Sequence, residues 1–290
     1  MSGLHWLSQD PPVLYVVGWP SQTPTPAFAH EPIHVVVNAG CVLAGHDMAR
    51  LADRIAGQFP AWTVHVVGTA FRPVSRTSNR CVFWLPEHVM LNTDFWDIGP
   101  GTDVNYDAIL VGDTQPHKRH RLAADVPRLC CVAHSYVPAP RYEQWLRKQL
   151  AAAVFPFDPG KGWLPGAALR DFYRQSGCGL MLSGTEAGSR TIGEQMACGL
   201  PIVATADASG PLETADPAFL RIVPAQPSAV ADAVRDFRDN PPDRADVRDA
   251  FLARVRWHRS RLEARIGAPL RWDTCPVALP WFANQEWPRC

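Results

Sequence analysis

The chain has 290 residues, 47% of them hydrophobic and 19% charged, with 28 Lys+Arg against 28 Asp+Glu. Such a length and composition suit a globular protein of one large or two ordinary domains around a substantial core. Zero formal net charge leaves no global field to draw in nucleic acid or an anionic membrane, so a pure DNA-binding or membrane-surface role is disfavoured and only local patches stay open.

The opening MSGLHWLSQDPP has neither the basic start nor the apolar stretch of a signal peptide, and no apolar run reaches transmembrane length, so a cytoplasmic location is expected. VLYVVG (Val13 to Gly18) is a strand candidate. PIHVVVNAG (Pro32 to Gly40) reads as a buried strand that ends in a glycine turn. HDMARLADRIAGQF follows, its apolar residues Met48, Leu51, Ile55 and Phe59 at helical spacing, and WTVHVVG is the next strand. This strand–helix–strand order is a βαβ unit, whose sheet is parallel. CVFWLP (Cys81 to Pro86) adds a further strand.

The polar, glycine-containing NTDFWDIGPGTDVNYD (Asn92 to Asp107) reads as a linker. Beyond it the βα rhythm restarts with AILVGDTQPHKRHRLAADV, RLCCVAHSYV, RYEQWLRKQLAAAV, LRDFYRQSG and CGLMLSG, and then LPIVAT and FLRIVPA. PSAVADAVRDFRDN and RADVRDAFLARVRWHRSRLEARI are two C-terminal helices, separated by Asn240-Pro241-Pro242. The Trp- and Pro-rich tail WDTCPVALPWFANQEWPRC is expected to pack back on the body, with Trp272, Trp281 and Trp287 as anchors. The cysteines (41, 81, 130, 131, 178, 198, 275 and 290) form no Cys-x-x-Cys, and several sit in apolar segments, as buried free thiols would. The expected organisation is therefore α/β: two doubly wound, Rossmann-like domains facing a cleft, residues 1–95 and 96–270, with a tail over 271–290. Ligands of such folds bind outside the carboxyl ends of the strands.

One segment carries chemistry. In SGTEAGSRTIGEQMACGLPIVAT (Ser183 to Thr205), CGLMLSG is a buried strand, TEAG a turn, and SRTIGEQMAC a helix stopped by Gly199 and Pro201. Glu186 then lies in the loop at the strand's carboxyl end. Ser189, Arg190 and Thr191 lie at the first helical turn, where unpaired N–H groups and the macrodipole favour an anion such as phosphate. Glu194 falls on the same helical face as Arg190. The pair reads either as an exposed i,i+4 ion pair worth a few tenths of a kcal/mol, about the size of other such pairs, or as part of a site. Arg before Glu is the less favourable order for a merely structural pair, because it sets the cation at the positive helix end.

This segment resembles the retaining glycosyltransferases of the GT-B fold, in particular the large family 4 group, whose hallmark is Glu, seven residues, Glu, then Met-Ala-x-Gly-x-Pro-Val-Val. Here it stands as Glu186, seven residues, Glu194, then QMACGLPIVAT. AILVGDTQPHKRH is similar to the first strand of the family's C-terminal domain: Lys118, six residues after Gly112, matches its lysine, while Asp113 stands where an Arg is expected. LNTDFWDIGPG is similar to the preceding linker, and the likeness runs from about Asn92 to Ile266. It implies a nucleotide-sugar donor whose diphosphate is held by Lys118 and by the N–H groups of Gly188, Ser189, Arg190 and Thr191. Glu194 would bind the ribose, and Glu186 would be the catalytic carboxylate beside the donor sugar. It also implies transfer with retention and no requirement for a metal or other cofactor; no Asp-x-Asp is present.

Only about 90 residues precede the linker, so the N-terminal, acceptor-side domain is expected to be reduced, open, or completed by a partner chain or by homo-oligomerisation. The acceptor is not named by the sequence: a saccharide or lipid-linked sugar, a small molecule, a protein, or a modified nucleobase in nucleic acid. Two alternatives accompany the leading reading, a GT-B nucleotide-sugar epimerase or hydrolase and a non-catalytic nucleotide-sugar-binding module. Among other residues, His46 at a loop-to-helix junction would contact donor or acceptor, or simply cap the helix. Tyr136 and Phe157 would line a base pocket. In HKRHR (His117 to Arg121), residues other than Lys118 are expected on a solvated loop face, and RVRWHRSRLEAR on an exposed basic helix.

Overall fold

The computed structural model describes residues 4–17, 27–38, 45–68, 80–84, 87–101, 103–134, 140–156, 164, 166–184, 190–208, 212 and 215–275. Glu186, Gly188, Ser189, Tyr136, Phe157, Trp281 and Trp287 lie outside the described residues, as does the side chain of His46. The chain divides into two compact units, Met1–Asn92 with Arg256–Cys290, and Thr93–Val255. The first boundary coincides with the start of the expected linker. The second falls inside the last helix, so residues 256–270 group with the first unit instead of the second.

The first unit holds a five-stranded sheet in the order β1-β2-β3-β4-β5, formed by β1 (Leu4–Gln9), β2 (Pro12–Val17), β3 (His34–Asn38), β4 (Thr63–Gly68) and β5 (Arg80–Trp84). β2 to β5 are mutually parallel, and β1 is an antiparallel edge joined to β2 by a tight turn. The alternation of side chains along a strand decides what each face covers. Leu14, Val16, Val35, Val37, Val64 and Val66 pack with Leu51, Ala52 and Ile55 of α1 (Gly45–Gln58) and with Phe59 and Trp62. Val13, Tyr15 and Val36 point the other way, into a cluster with Val89, Met90, Leu262 and Ile266. That second cluster explains the return of the chain to this unit: the end of the last helix covers a sheet face whose valines would otherwise be in water. Trp272 packs against the same cluster, its indole N–H donating to Glu263 at 2.8 Å.

The second unit is a fully parallel sheet in the order β10-β9-β8-β6-β7. Its strands are β6 (Tyr106–Asp113), β7 (Leu129–His134), β8 (Ser176–Met181), β9 (Ile202–Thr205) and β10 (Leu220–Val223). The helices are α2 (Pro140–Gln149), α3 (Gly166–Arg174), α4 (Arg190–Ala197), α5 (Pro227–Asp239) and α6 (Arg244–Ile266), whose first half belongs here. Leu146 of α2 and Val230, Val234 and Phe237 of α5 cover one face with Leu110, Cys131, Leu180 and Val203. Ile192 and Met196 of α4 and Val247 and Phe251 of α6 are buried as well. Trp96 of the linker is 1% exposed, and Arg174 pairs with Asp97, so this stretch is strapped down. Among the described residues no helix is long and apolar enough to cross a membrane.

Numbered from its own first strand, the second sheet runs 2-1-3-4-5. The chain leaves β6 to one side for β7 and returns on the other for β8, so the strand order reverses between β6 and β8. That reversal, outside the carboxyl ends of the two strands, is the expected ligand position in an open α/β sheet.

Candidate nucleotide-binding site

The reversal point is built from two strand ends. After β6 the chain makes a 3-10 turn, Pro116–Lys118, with Pro116 pre-setting the backbone, and a second one at His120–Ala123. Lys118 ends the first of these turns. Its stem lies across Gly112, 3.4 Å from where a Cβ on that glycine would stand, so the lysine is laid over the last residues of β6. After β8 come Ser183 and Gly184, and the Gly184 N–H donates to the His117 carbonyl at 2.9 Å, stitching the two loops together. α4 begins at Arg190, so Arg190 and Thr191 occupy its first turn. Lys118, Arg190 and Thr191 are all half-buried. A lysine and a helix N-terminus on adjacent strand exits are the elements that hold a diphosphate: a mobile point charge and a set of oriented N–H groups.

Glu194 is not the exposed partner of a surface ion pair. It is 6% exposed, and Arg190 Nε donates to its Oε1 at 2.9 Å, with 10% and 7% of the two side chains exposed. Its Oε2 accepts from the hydroxyl of Tyr173 at 3.1 Å, and Tyr173 of α3 is fully buried. Burial pushes the Glu194 carboxyl above the usual carboxylate range, against the opposing pull of Arg190 and of both hydrogen bonds. Burial, with the Glu194 charge second, raises the Tyr173 hydroxyl well above its ordinary value. A carboxylate oxygen carries two acceptor sites, so each of these oxygens can take one more donor, such as a ribose hydroxyl.

The basic run after β6 is also less solvated than its composition suggests. His120 is 0% exposed, with Nδ1 3.3 Å from the Tyr142 hydroxyl, and burial lowers its pKa to about 4, helped by the nearby charges of Lys118 and His117. Arg119 turns inward. Its Nε donates to the Leu182 carbonyl at 2.6 Å, Nη2 to Thr205 Oγ1 at 2.6 Å, and Nη1 to Asp207 Oδ2 at 2.5 Å. The Arg119 guanidinium, through that hydrogen bond first, holds the Asp207 carboxyl below its usual range. Asp113 closes β6 in register with His134, one carboxylate oxygen buried, in the position where an arginine was expected. Cys130, Cys131, Cys178, Cys198 and Cys275 are buried free thiols, and burial pushes Cys130 and Cys198 up to about 12, which keeps them protonated and inert. No group of three metal-ligating side chains occurs among the described residues.

With this geometry in place, known proteins supply the comparison. Residues 161–251 match the family model described as glycosyl transferases group 1. That span, 91 of 290 residues, runs from before α3 through β8, α4, β9, β10 and α5 into α6. A search of curated proteins finds no match. Among solved structures, HepE of Anabaena in complex with UDP is similar at a TM-score of 0.55 and 15% identity, over 81% of this chain and 72% of that one. The same protein with UDP-glucose gives 0.54 at 15%, with the same coverage. A glycosyltransferase from Rickettsia africae gives 0.55 at 14%, over 81% of this chain and 77% of that one. The chain has the GT-B fold. At such identities the likeness is one of fold, so substrate and chemistry have to be argued from the site.

Tyr173, Arg119, Thr205 and Asp207 escape sequence reasoning. Tyr173 sits in an amphipathic helix as any core tyrosine would, and Arg119 sits inside a basic run. Only the proximity of α3 to α4, and of the β6 turn to β8 and β9, reveals what they touch.

Proposed function

We propose that the protein is a glycosyltransferase that moves a sugar from a nucleotide-sugar donor to an acceptor, with retention of anomeric configuration. The observation that carries this reading is the juxtaposition at the β6/β8 reversal of Lys118, laid over Gly112, with the strand exit that leads into α4. The matched family model and the similar HepE structures in complex with UDP and UDP-glucose support it. Lys118 binds the donor diphosphate, aided by the N–H groups from Gly188 to Thr191. Glu194, held by Arg190 and Tyr173, accepts from the ribose hydroxyls. Glu186 stabilises positive charge as it develops at the anomeric carbon of the donor sugar. The bond from that carbon to the diphosphate oxygen breaks, and the acceptor oxygen bonds to the carbon on the same face and passes its proton to the departing diphosphate oxygen. Lys118 and the helix N-terminus neutralise the departing diphosphate, so the reaction proceeds without a metal.

The test is a thermal-shift screen against nucleoside diphosphates and their sugars, since a ligand of the folded state raises stability by RT ln(1 + [L]/Kd). The hit is then used as donor in a transfer assay. Lys118→Ala is expected to weaken donor binding at least about tenfold, the loss of one charge-assisted phosphate contact. Glu186→Gln should leave binding intact and remove turnover. Full transfer by both variants would refute the assignment. Rapid donor turnover without acceptor would favour hydrolysis or epimerisation instead.

A further inference from the structure

Arg119 is the one non-glycine residue with positive φ among the described residues, at φ 49° and ψ 39°. The left-handed region costs an ordinary side chain about 1 kcal/mol or more, and glycine would occupy it without penalty. Such a conformation persists only where the surroundings over-determine it, and it concentrates at functional sites. Here the surroundings are explicit. The positive φ turns the guanidinium back under the Lys118 turn, where it bonds the carbonyl of Leu182 beyond β8, the hydroxyl of Thr205 at the end of β9 and the carboxylate of Asp207 beyond it. Gly184 packs against the same guanidinium, at 3.4 Å from a would-be Cβ to Nε, and its N–H reaches back to His117. The side chain is 18% exposed. A glycine here would keep the turn but give up all three bonds.

We infer that Arg119 is a positioning residue for the donor site: its clip to β8 and β9 fixes the turn that carries Lys118 at the β6/β8 reversal, and so sets how well Lys118 meets a diphosphate. The inference rests on the donor-binding role proposed above for Lys118. Arg119 itself, with its donors directed at protein acceptors, acts through Lys118 and does not touch the ligand. Its deletion must therefore matter only while Lys118 is present, which a double-mutant cycle measures directly.

The cycle uses wild type, Lys118→Ala, Arg119→Met and the double variant, with binding of UDP, GDP, ADP and dTDP followed by titration calorimetry. Arg119→Met is expected to weaken the nucleotide that binds by about tenfold beside Lys118, and by less than about twofold in the Lys118→Ala background. Arg119→Lys, which can reach one of the acceptors, should recover part of the loss. Arg119→Gly should recover none of it, although it relieves the backbone. If Arg119→Met does not fold, Thr205→Val removes one acceptor of the clip and carries the same cycle, with a loss of about threefold expected beside Lys118 and none without it. Equal losses in both backgrounds, or full recovery by Arg119→Gly, would overturn the proposal. A wild-type chain that binds none of the four nucleotides overturns the donor reading and the clip's role together. It is told apart from failure of the clip alone because no binding exists to be lost.

Discussion

Replacing Arg190 by methionine tests the buried core of the candidate site. Methionine keeps the length and packing of the side chain and removes its charge and donors, leaving a carboxylate at 6% exposure with the Tyr173 hydroxyl on Oε2. Removing one partner of a buried ion pair leaves an uncompensated charge and costs about 3–5 kcal/mol, a large part of the about 5–15 kcal/mol that holds a domain together. Urea unfolding at pH 8, followed by near-ultraviolet circular dichroism, should show a loss of that size in the transition of the second unit. The deficit should also depend on pH. Burial already raises the folded-state pKa of Glu194 above its unfolded value, and losing Arg190 removes the largest pull against that rise. Between the unfolded and folded pKa values the native state then binds more protons than the unfolded chain, so the burden is full at alkaline pH and is relieved as pH falls through the folded value. Arg190→Met should therefore be less destabilised, relative to wild type, at pH 5 than at pH 8. A loss under about 1 kcal/mol with no pH trend would mean that the pair is solvated like a surface pair, and the reasoning would be wrong.

Acid should weaken the fold through two neutral histidines. His65, 1% exposed and hydrogen-bonded at 3.0 Å to His34, is lowered to about 3, chiefly by burial and then by the nearby His34 and Arg265, and His120 is lowered to about 4. A base with a depressed folded pKa leaves the unfolded chain binding more protons, so stability drops as pH falls from about 6.5 toward those values. At pH 5 each histidine costs about 2 kcal/mol. His65→Phe should flatten the pH dependence of the first unit's unfolding and His120→Phe that of the second, and unchanged slopes from pH 7 to 5 would contradict this. At the end of α4, Gly199 has φ 77°, and a Cβ there would stand 2.7 Å from both the Cβ and the carbonyl oxygen of Arg244. Gly199→Ala should cost about 2–4 kcal/mol, combining backbone strain with a forced shift of α6, as read from its thermal midpoint; a change within about 0.5 kcal/mol would refute it.

The sequence makes most of this unit legible because its strands are short apolar runs between turn residues. LPIVAT and FLRIVPA contain β9 and β10, CGLMLSG overlaps β8, which starts earlier at Ser176, and the two C-terminal helices lie on either side of the Asn240-Pro241-Pro242 break. β1 is missed for a physical reason. LHWLSQ is an edge strand paired on one side only, so its sequence need not be continuously apolar. Among the site residues, Lys118, Arg190, Thr191 and Glu194 sit on the turn and helix that their spacing implied; spacing left open whether Glu194 is exposed, and within HKRHR, Arg119 and His120 are not on the expected solvated face, whereas His117 and Arg121 are exposed. Charged residues read as solvated unless a partner is in view, and their partners stand far off in sequence: Tyr173 lies 21 residues from Glu194, and Thr205 and Asp207 lie 86 and 88 residues from Arg119.

Local pattern by itself determined the βα rhythm, the buried valine strands, the helical character of RTIGEQMA and the glycine that ends that helix, because each depends on neighbours within a turn or two of chain. Tertiary structure alone decided the 2-1-3-4-5 strand order, and with it the reversal that gathers the exits of β6 and β8 into one place. It also decided that α6 ends over the first sheet, that Glu194 is clamped under α3, and that Arg119 faces inward. Those outcomes follow from which apolar faces find one another on collapse, and from the cost of leaving a charge unpaired once they do.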